Sequence, residues 1–235
     1  FIILDTTIKN IFFDLDNTLW NFQENSRDTL LELINKFKLT SRGVDNAENF
    51  IRKYQLKNDM LWSLYRNNKI TKEELRSKRF LLTLQEYGIN DEKLSEDFGS
   101  AYVKESPLKK KLFPFANQTL NYLKDKYSLH IITNGFEEVQ YIKLNVSGLT
   151  QYFDQIITSE KVGVKKPHKE IFHYALNITN AKAEESVMIG DDLEADIHGS
   201  KKIGMQAIYF NPKKSETIKN QKDEIYCLSE IMKIL

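Results

Sequence analysis

The chain has 235 residues, 41% of them hydrophobic, and a formal net charge of +1 at pH 7. A chain of this length can bury a substantial core, as about one large or two smaller domains. The near-neutral charge gives no electrostatic reason to expect a nucleic acid polymer as a partner, and no run approaches the ~20 apolar residues of a membrane helix. The opening run, Phe1 to Leu4, is too short for the core of a signal peptide. Because Cys227 is the only cysteine, no disulfide framework exists within the chain, and a cytoplasmic location is expected.

The first predicted element is a buried strand that ends in two closely spaced carboxylates. The apolar run Ile11-Phe12-Phe13 leads into Asp14, and Asp16 follows two residues later. A solvated turn is the ordinary interpretation, because Asp is favoured in turns. Two like charges this close to a buried strand, however, oppose joint ionisation unless a cation or a proton lies between them. The pair therefore indicates a chemical site if the rest of the chain supports one.

A long helical segment follows, from Glu24 to about Lys104. Apolar residues recur along it at helical spacing with no strand signal between them, and Thr71 with Glu74 has the pattern of a capping box. The two prolines of the segment Ser106–Pro114 disfavour helix where the chain returns. This pattern predicts a helical insertion between the first strand and the rest of a sheet.

The remaining chain alternates predicted strands with amphipathic helices, and polar residues follow each strand. Such alternation predicts right-handed βαβ units and a parallel sheet, in which ligands bind beyond the carboxyl ends of the strands. These polar residues should therefore meet in one crevice. They follow the strands Leu129–Ile132, Gln155–Thr158 and Val187–Ile189, and they are Thr133 with Asn134, Lys165 with Lys166, and Asp191 with Asp192 and Asp196.

Together these motifs resemble those of the haloacid dehalogenase-like (HAD) hydrolases. The resemblance rests on Asp14 through Thr18, Thr133, Lys166-Pro167, and Gly190-Asp191 through Asp196, and it covers almost the whole chain. It implies an α/β fold, with a Rossmann-like parallel sheet core, helices on both faces and an inserted all-α cap domain. We expect the core at residues 1–20 and 105–235, and at residues 21–104 a cap that covers the crevice and selects the substrate.

The resemblance also implies a role for each motif residue. Asp14 would be the nucleophile that accepts a phosphoryl group. Asp16 would protonate the leaving oxygen and later deprotonate the attacking water. The Thr133 hydroxyl and the Asn134 backbone N–H would bind the phosphoryl oxygens, and Lys166 would supply a fixed positive charge.

Magnesium is the cofactor that the resemblance implies. Mg²⁺ prefers oxygen ligands, which here would come from the carboxylates of Asp14 and Asp191 and the main-chain oxygen of Asp16. We expect Asp192 to cap the helix that follows it. Asp196, inside that helix, would orient a metal-bound water or the lysine of the third motif.

The branch that the chain most resembles comprises small nucleoside 5′-monophosphate phosphatases, including the pyrimidine nucleotidases. The similarity lies in Asp16 to Leu19 and in Ile132 to Phe136, which lead to Gln140 and Leu144. We therefore expect a Mg²⁺-dependent phosphatase that hydrolyses small phosphate monoesters, nucleoside 5′-monophosphates above all, through an aspartyl-phosphate intermediate. Trp20 would either stack on a planar base of the substrate or pack at the hinge against the core.

Four alternatives remain open. The same core would serve a phosphatase of sugar phosphates or of flavin mononucleotide. It would also serve a phosphomutase, although the first motif of these enzymes usually has Gly where this chain has Asn17. Dehalogenases lack a carboxylate at the position of Asp16, because they have no oxygen leaving group to protonate. A non-catalytic binding module is disfavoured because every catalytic position is filled. The sequence does not indicate an oligomeric state.

Overall fold

The computed structural model describes residues 8–214 and 223–235, so the run Phe1 to Leu4 lies outside the described residues. The strands in this part of the chain are β1 (Asn10–Phe13), β2 (Ser128–Thr133), β3 (Gln155–Thr158), β4 (Ser186–Gly190), β5 (Gln206–Phe210) and β6 (Glu224–Ile225). They form one six-stranded sheet in the order β3-β2-β1-β4-β5-β6, with every neighbouring pair parallel. The predicted Rossmann-like α/β fold is confirmed, and β5 and β6 are additions to the strands predicted from sequence.

The α-helices of the described residues are α1 (Phe22–Lys36), α2 (Ala47–Arg66), α3 (Lys72–Gln85), α4 (Glu92–Glu105), α5 (Ala116–Leu123), α6 (Glu137–Val146), α7 (Ser159–Val162), α8 (Lys169–Ile178), α9 (Gly199–Lys201) and α10 (Ile231–Ile234). None of them is both long and apolar enough to cross a bilayer. A π-helical segment, Leu193–His198, leads directly into α9.

The chain divides into two compact units. One consists of Phe1–Phe22 with Lys110–Leu235, and we call it the α/β unit; the other, Gln23–Lys109, we call the helical unit. Both boundaries lie a few residues beyond the expected positions. Phe22 packs against the core of the α/β unit, and after α4 the chain continues as a short 3₁₀ helix, Ser106–Leu108, with Pro107 in its first turn. Proline is tolerated there because the first N–H groups of a helix have no internal partner.

The α/β unit buries both faces of its sheet. Successive side chains of a strand point to opposite faces. Ile11 and Phe13 therefore pack on one face with Leu120 of α5, whereas Phe12 packs on the other with Phe172 of α8. Since all the strands are parallel and β1 pairs with both β2 and β4, the residues that follow these three strands emerge at the same edge.

The helical unit has its own apolar core. Side chains from all four of its helices contribute to it, among them Leu30, Leu33, Phe50, Tyr54, Phe80 and Phe98, all without exposed surface. The predicted capping box is present at the start of α3: Thr71 accepts from the N–H of Glu74, and the Glu74 carboxylate accepts from the N–H of Thr71. These contacts satisfy two N–H groups that a helix start would otherwise leave unpaired.

Candidate active site

The loop after β1 presents the two aspartates of the first motif. Asn17 adopts the left-handed conformation, with φ of 61°, which Asn tolerates better than most residues. Backbone bonds of 3.0 and 2.9 Å from the N–H groups of Leu19 and Trp20 to the carbonyl of Leu15 close the turn. The loop is therefore fixed by its own backbone.

A buried lysine joins two of the predicted acidic residues. Lys166 Nζ lies 2.6 Å from Asp14 Oδ1 and 2.6 Å from Asp196 Oδ1, and it also donates to the carbonyl of Ile132 at 2.7 Å. Although burial lowers the pKa of Lys166, the two carboxylates raise it above its usual value. Lys166 is therefore a permanent cation, in contact with the expected nucleophile. Asp196 contacts the lysine directly, which is one of the two roles predicted for it.

Three carboxylates form an acidic group around this lysine. One oxygen each from Asp14, Asp191 and Asp196 lies within 4.8 Å of the others. Burial raises the pKa of Asp14 to about 8, against the lowering effect of Lys166, and loss of hydration together with Asp14 raises the pKa of Asp191 well above its usual range. One ammonium cannot balance three carboxylates. A hard divalent cation with oxygen ligands fits this donor set and its excess of negative charge.

The carboxylate of Asp16 is held by two residues of α6. Lys143 Nζ lies 2.6 and 2.8 Å from the two Asp16 oxygens, and Gln140 Nε2 donates to Asp16 Oδ2 at 3.0 Å. Gln140 and Lys143 are three residues apart on one face of the helix, and both are buried. The two carboxylates of the first motif therefore have different cationic partners, Lys166 for Asp14 and Lys143 for Asp16.

Gln140 also contacts the second motif. Its Nε2 donates to Thr133 Oγ1 at 2.6 Å, and the N–H of Gly135 donates to the same oxygen at 3.0 Å. A Cβ at Gly135 would collide with the Gln140 side chain, so any other residue here would have to displace that amide. One amide thus connects the Thr133 hydroxyl to the Asp16 carboxylate.

Asn134 connects the second motif to the third through its side chain. Its Nδ2 donates to the Lys166 carbonyl at 3.0 Å, and its Oδ1 accepts from the Lys166 N–H at 2.8 Å. The prediction for Asn134 concerned only its backbone N–H. The structure adds this amide pairing, which positions the loop that carries Lys166.

The fourth motif is held at the start of the π-helical segment. Asp192 accepts from the N–H groups of Glu194 and Ala195, as its predicted capping role requires. The Asp196 carboxylate accepts in turn from the Asp192 N–H at 3.1 Å. Thr18 donates to Asp191 Oδ1 at 3.3 Å, which joins the fourth motif to the first.

Trp20 packs in the core of the α/β unit. It has no exposed surface, belongs to the core cluster of that unit, and its ring is covered by the Lys143 ammonium 4.4 Å from a ring centroid. A ring buried in this way cannot stack on a substrate base. The stacking interpretation is therefore wrong, and the packing interpretation holds.

Lys143 is a candidate site residue that the sequence analysis does not name. A lone lysine in an amphipathic helix usually belongs to its solvated face. The available signal is its spacing of three residues from Gln140.

Comparison with known proteins agrees with this arrangement of motifs. Residues 8–204 match the model of the haloacid dehalogenase-like hydrolases, the family suggested by the four motifs. The chain belongs to this family. This match confirms the resemblance drawn from the four motifs.

Relatives of known name cover most of the chain. Pyrimidine 5′-nucleotidase YjjG of Escherichia coli (strain K12) is 36% identical over 203 residues, covering 86% of this chain and 85% of that protein. Pyrimidine 5′-nucleotidase PynA of Streptococcus pneumoniae (strain ATCC BAA-255 / R6) is 29% identical, covering 97% and 94%. The crystal structure of the HAD-hydrolase YfnB of Bacillus subtilis, described with bound magnesium and interdomain movement, matches with a TM-score of 0.86 at 29% identity, covering 97% of this chain and 99% of that one.

Proposed function

We propose that this HAD-like hydrolase is a Mg²⁺-dependent phosphatase of small phosphate monoesters, with nucleoside 5′-monophosphates as its preferred substrates. The observation that carries the proposal is that the two carboxylates of the first motif have different hydrogen-bond and ion-pair partners. Asp14 lies against Lys166 beside the acidic group, and Asp16 lies against Lys143 and Gln140. A second carboxylate is needed when an oxygen leaving group must be protonated, and it would have no such task in a dehalogenase.

Asp14 is the proposed nucleophile. A phosphate monoester is kinetically inert, and its hydrolysis requires accelerations of up to ~10²¹-fold, so the reaction benefits from being divided into two easier steps. In the first step a carboxylate oxygen of Asp14 forms a bond to phosphorus while the bond from phosphorus to the ester oxygen breaks. In the second step water attacks phosphorus, and the bond to Asp14 breaks. Its contact with Lys166 holds the nucleophile in place.

Asp16 is the proposed acid and base. It gives a proton to the leaving alkoxide in the first step and takes one from the attacking water in the second. Lys143 and Gln140 would hold its carboxylate in the orientation that both transfers need.

Thr133, Asn134 and Lys166 are the proposed phosphoryl-binding residues. The Thr133 Oγ1 accepts from Gly135 and Gln140, which orients its own O–H to donate to a phosphoryl oxygen. The Asn134 side chain is engaged with Lys166, which leaves its backbone N–H as the proposed donor to phosphate. Lys166 would stabilise the charge on the transferring group.

Asp14, Asp191 and the main-chain oxygen of Asp16 are the proposed holders of Mg²⁺. When bound, Mg²⁺ would neutralise the clustered carboxylates and allow an anionic phosphate to approach them. The fit rests on the acidic group within 4.8 Å and on the burial of its carboxylates, which raises the pKa of Asp14 and of Asp191 and disfavours their charged forms unless a cation is beside them. The structure of YfnB is described with bound magnesium, which supports Mg²⁺ as the metal.

The substrate class is supported by the relatives. Two proteins that align with most of the chain are named pyrimidine 5′-nucleotidases. We propose that the helical unit acts as the cap that selects the ester, because it is a separate compact unit inserted between β1 and the rest of the sheet.

A phosphate-release screen with Mg²⁺ tests the proposal. Its panel should contain dUMP, dTMP, hexose phosphates, flavin mononucleotide and a haloacid. The expected result is the highest kcat/KM on the pyrimidine nucleotides and no halide release. A preference for hexose phosphates or flavin mononucleotide would overturn the nucleotidase assignment alone, whereas halide release without phosphate release would overturn the phosphatase.

A further inference from the structure

The Gln140 side chain in α6 donates two hydrogen bonds from a single amide group. It has no exposed surface, and its Nε2 donates to Thr133 Oγ1 at 2.6 Å and to Asp16 Oδ2 at 3.0 Å. An amide nitrogen carries two protons, so these two contacts use both of them. All three residues belong to the α/β unit. One side chain therefore joins a proposed phosphoryl-binding hydroxyl to the proposed acid and base.

The oxygen of the same amide has no partner. Gln140 Oε1 is buried, and no donor among residues 8–214 and 223–235 forms a hydrogen bond with it. Turning the amide over would set Oε1 against the Asp16 carboxylate, where two acceptors would oppose each other. A buried acceptor without a donor destabilises the folded state. An apolar side chain of similar size would avoid this loss of stability, so the amide is better explained by function than by folding.

Neither partner of Gln140 depends on it for a hydrogen bond. Thr133 Oγ1 also accepts from the N–H of Gly135 at 3.0 Å, and both Asp16 oxygens accept from Lys143 Nζ. What Gln140 adds is direction, because it links the two groups through one planar amide. That amide lies in the space that a Cβ at Gly135 would need, so it is held close to the loop of the second motif.

We propose that Gln140 is a positioning residue that couples phosphoryl binding to proton transfer. By holding the Thr133 hydroxyl and the Asp16 carboxylate together, it sets the position of the proton donor relative to the bound phosphoryl group. The inference rests on the proposed function and deepens it, because it makes two parts of the site depend on one side chain. Gln140 itself takes no part in the bonds that form and break.

Two esters and one inhibitor test this coupling in Gln140→Met, which keeps the length of the side chain and removes both donors. The affinity for inorganic phosphate as a competitive inhibitor, and kcat/KM for p-nitrophenyl phosphate, should each fall by ~3- to 10-fold, the effect of one misdirected hydrogen bond. For dUMP, kcat/KM should fall by ~10- to 100-fold, because its leaving alkoxide also needs the proton of Asp16. The control Gln118→Met, at an exposed glutamine of α5, should leave all three values unchanged.

The double variant with Thr133→Val tests whether both effects come from the same amide. Once the hydroxyl is gone, Gln140→Met has nothing to orient at position 133, so it should cause no further loss of phosphate affinity or of kcat/KM for p-nitrophenyl phosphate. It should still lower kcat/KM for dUMP, because the contact with Asp16 remains to be lost.

Thermal unfolding provides the readout that separates positioning from structure. Gln140→Met removes a buried oxygen that has no partner, and it leaves Thr133 and Asp16 with their other donors. The Tm of Gln140→Met should therefore stay equal or rise while its activity falls.

Two kinetic results would overturn the coupling. An unchanged phosphate affinity in Gln140→Met would assign Gln140 to Asp16 alone, and equal losses on both esters would assign it to Thr133 alone. A full further loss of phosphate affinity in the Thr133→Val background would also overturn it, as would a fall in Tm or a failure of Gln140→Met to fold. None of these results affects the phosphatase, whereas absence of hydrolysis of either ester by the wild-type enzyme would overturn the proposed function itself.

Discussion

The Lys143 ammonium donates to both carboxylate oxygens of Asp16, at 2.6 and 2.8 Å, from a side chain that is only 6% exposed. The same ammonium lies over the ring of Trp20. A short ion pair between a buried lysine and a partly exposed carboxylate fixes the direction in which that carboxylate points. Lys143 therefore positions the proposed acid of the reaction.

Lys143→Met should lower kcat/KM for alkyl phosphates such as dUMP by roughly 10- to 100-fold, because a misplaced proton donor loses much of its effect. The loss should be much smaller on p-nitrophenyl phosphate, whose leaving group departs without a proton. Steady-state kcat/KM on the two esters measures the difference. Lys169→Met, at an exposed lysine of the α/β unit, is the control and should leave kcat/KM unchanged for both esters. A uniform loss on both esters would assign Lys143 to packing alone.

Asp14→Asn and Asp16→Asn should fail at different steps. Asp14→Asn removes the nucleophile, so p-nitrophenyl phosphate should yield no phosphoenzyme. Asp16→Asn should still transfer the phosphoryl group from this activated ester but not hydrolyse the product, because the base is missing. Rapid-quench kinetics should therefore show a burst of about one p-nitrophenolate per site in Asp16→Asn and none in Asp14→Asn. A normal burst in Asp14→Asn would mean that another residue is the nucleophile.

His130 should make stability depend on pH. It is 3% exposed in β2, and burial lowers its pKa from 6.5 to about 4, against the raising effect of Asp154. The unfolded chain then binds a proton between these values and the folded chain does not. Stability from this group is complete above pH 6.5 and is lost as the pH falls towards 4, by about 1–2 kcal/mol between pH 7 and pH 5.

Urea unfolding at pH 7 and pH 5 measures this effect. His130→Gln cannot titrate, so its loss of stability between the two pH values should be smaller than that of the wild type by the same amount. His173→Gln, at an exposed histidine, should behave like the wild type. An unchanged difference in His130→Gln would place the acid sensitivity in the carboxylates instead.

The parts of the site that follow strands could be predicted from the sequence. Asp14, Thr133 and Asp191 each come directly or nearly directly after an apolar run, and parallel topology brings the ends of such runs together. Local patterns also identified the Thr71 capping box, because its chemistry involves only neighbouring residues. Predictions of this kind succeed when a contact depends on the periodicity of apolar residues or on residues that are close together in the sequence.

The parts that depend on tertiary contacts could not be predicted. Lys143 lies in a helix, where a lysine is usually solvated, and only the packing of that helix buries it. Trp20 follows the first motif so closely that a contact with substrate was plausible, yet the core of the α/β unit takes up the whole ring. The π-helical segment Leu193–His198, in which the fourth motif ends, likewise has no signal in the local sequence.

The most direct test of the account is phosphate release from dUMP by the metal-stripped enzyme, measured with and without added Mg²⁺. Asp14, Asp191 and Asp196 gather negative charge that the anionic ester must approach, and Lys166 balances only part of it. We expect no hydrolysis in excess chelator and full recovery when Mg²⁺ is restored. Undiminished hydrolysis after exhaustive removal of metal would contradict the proposed site.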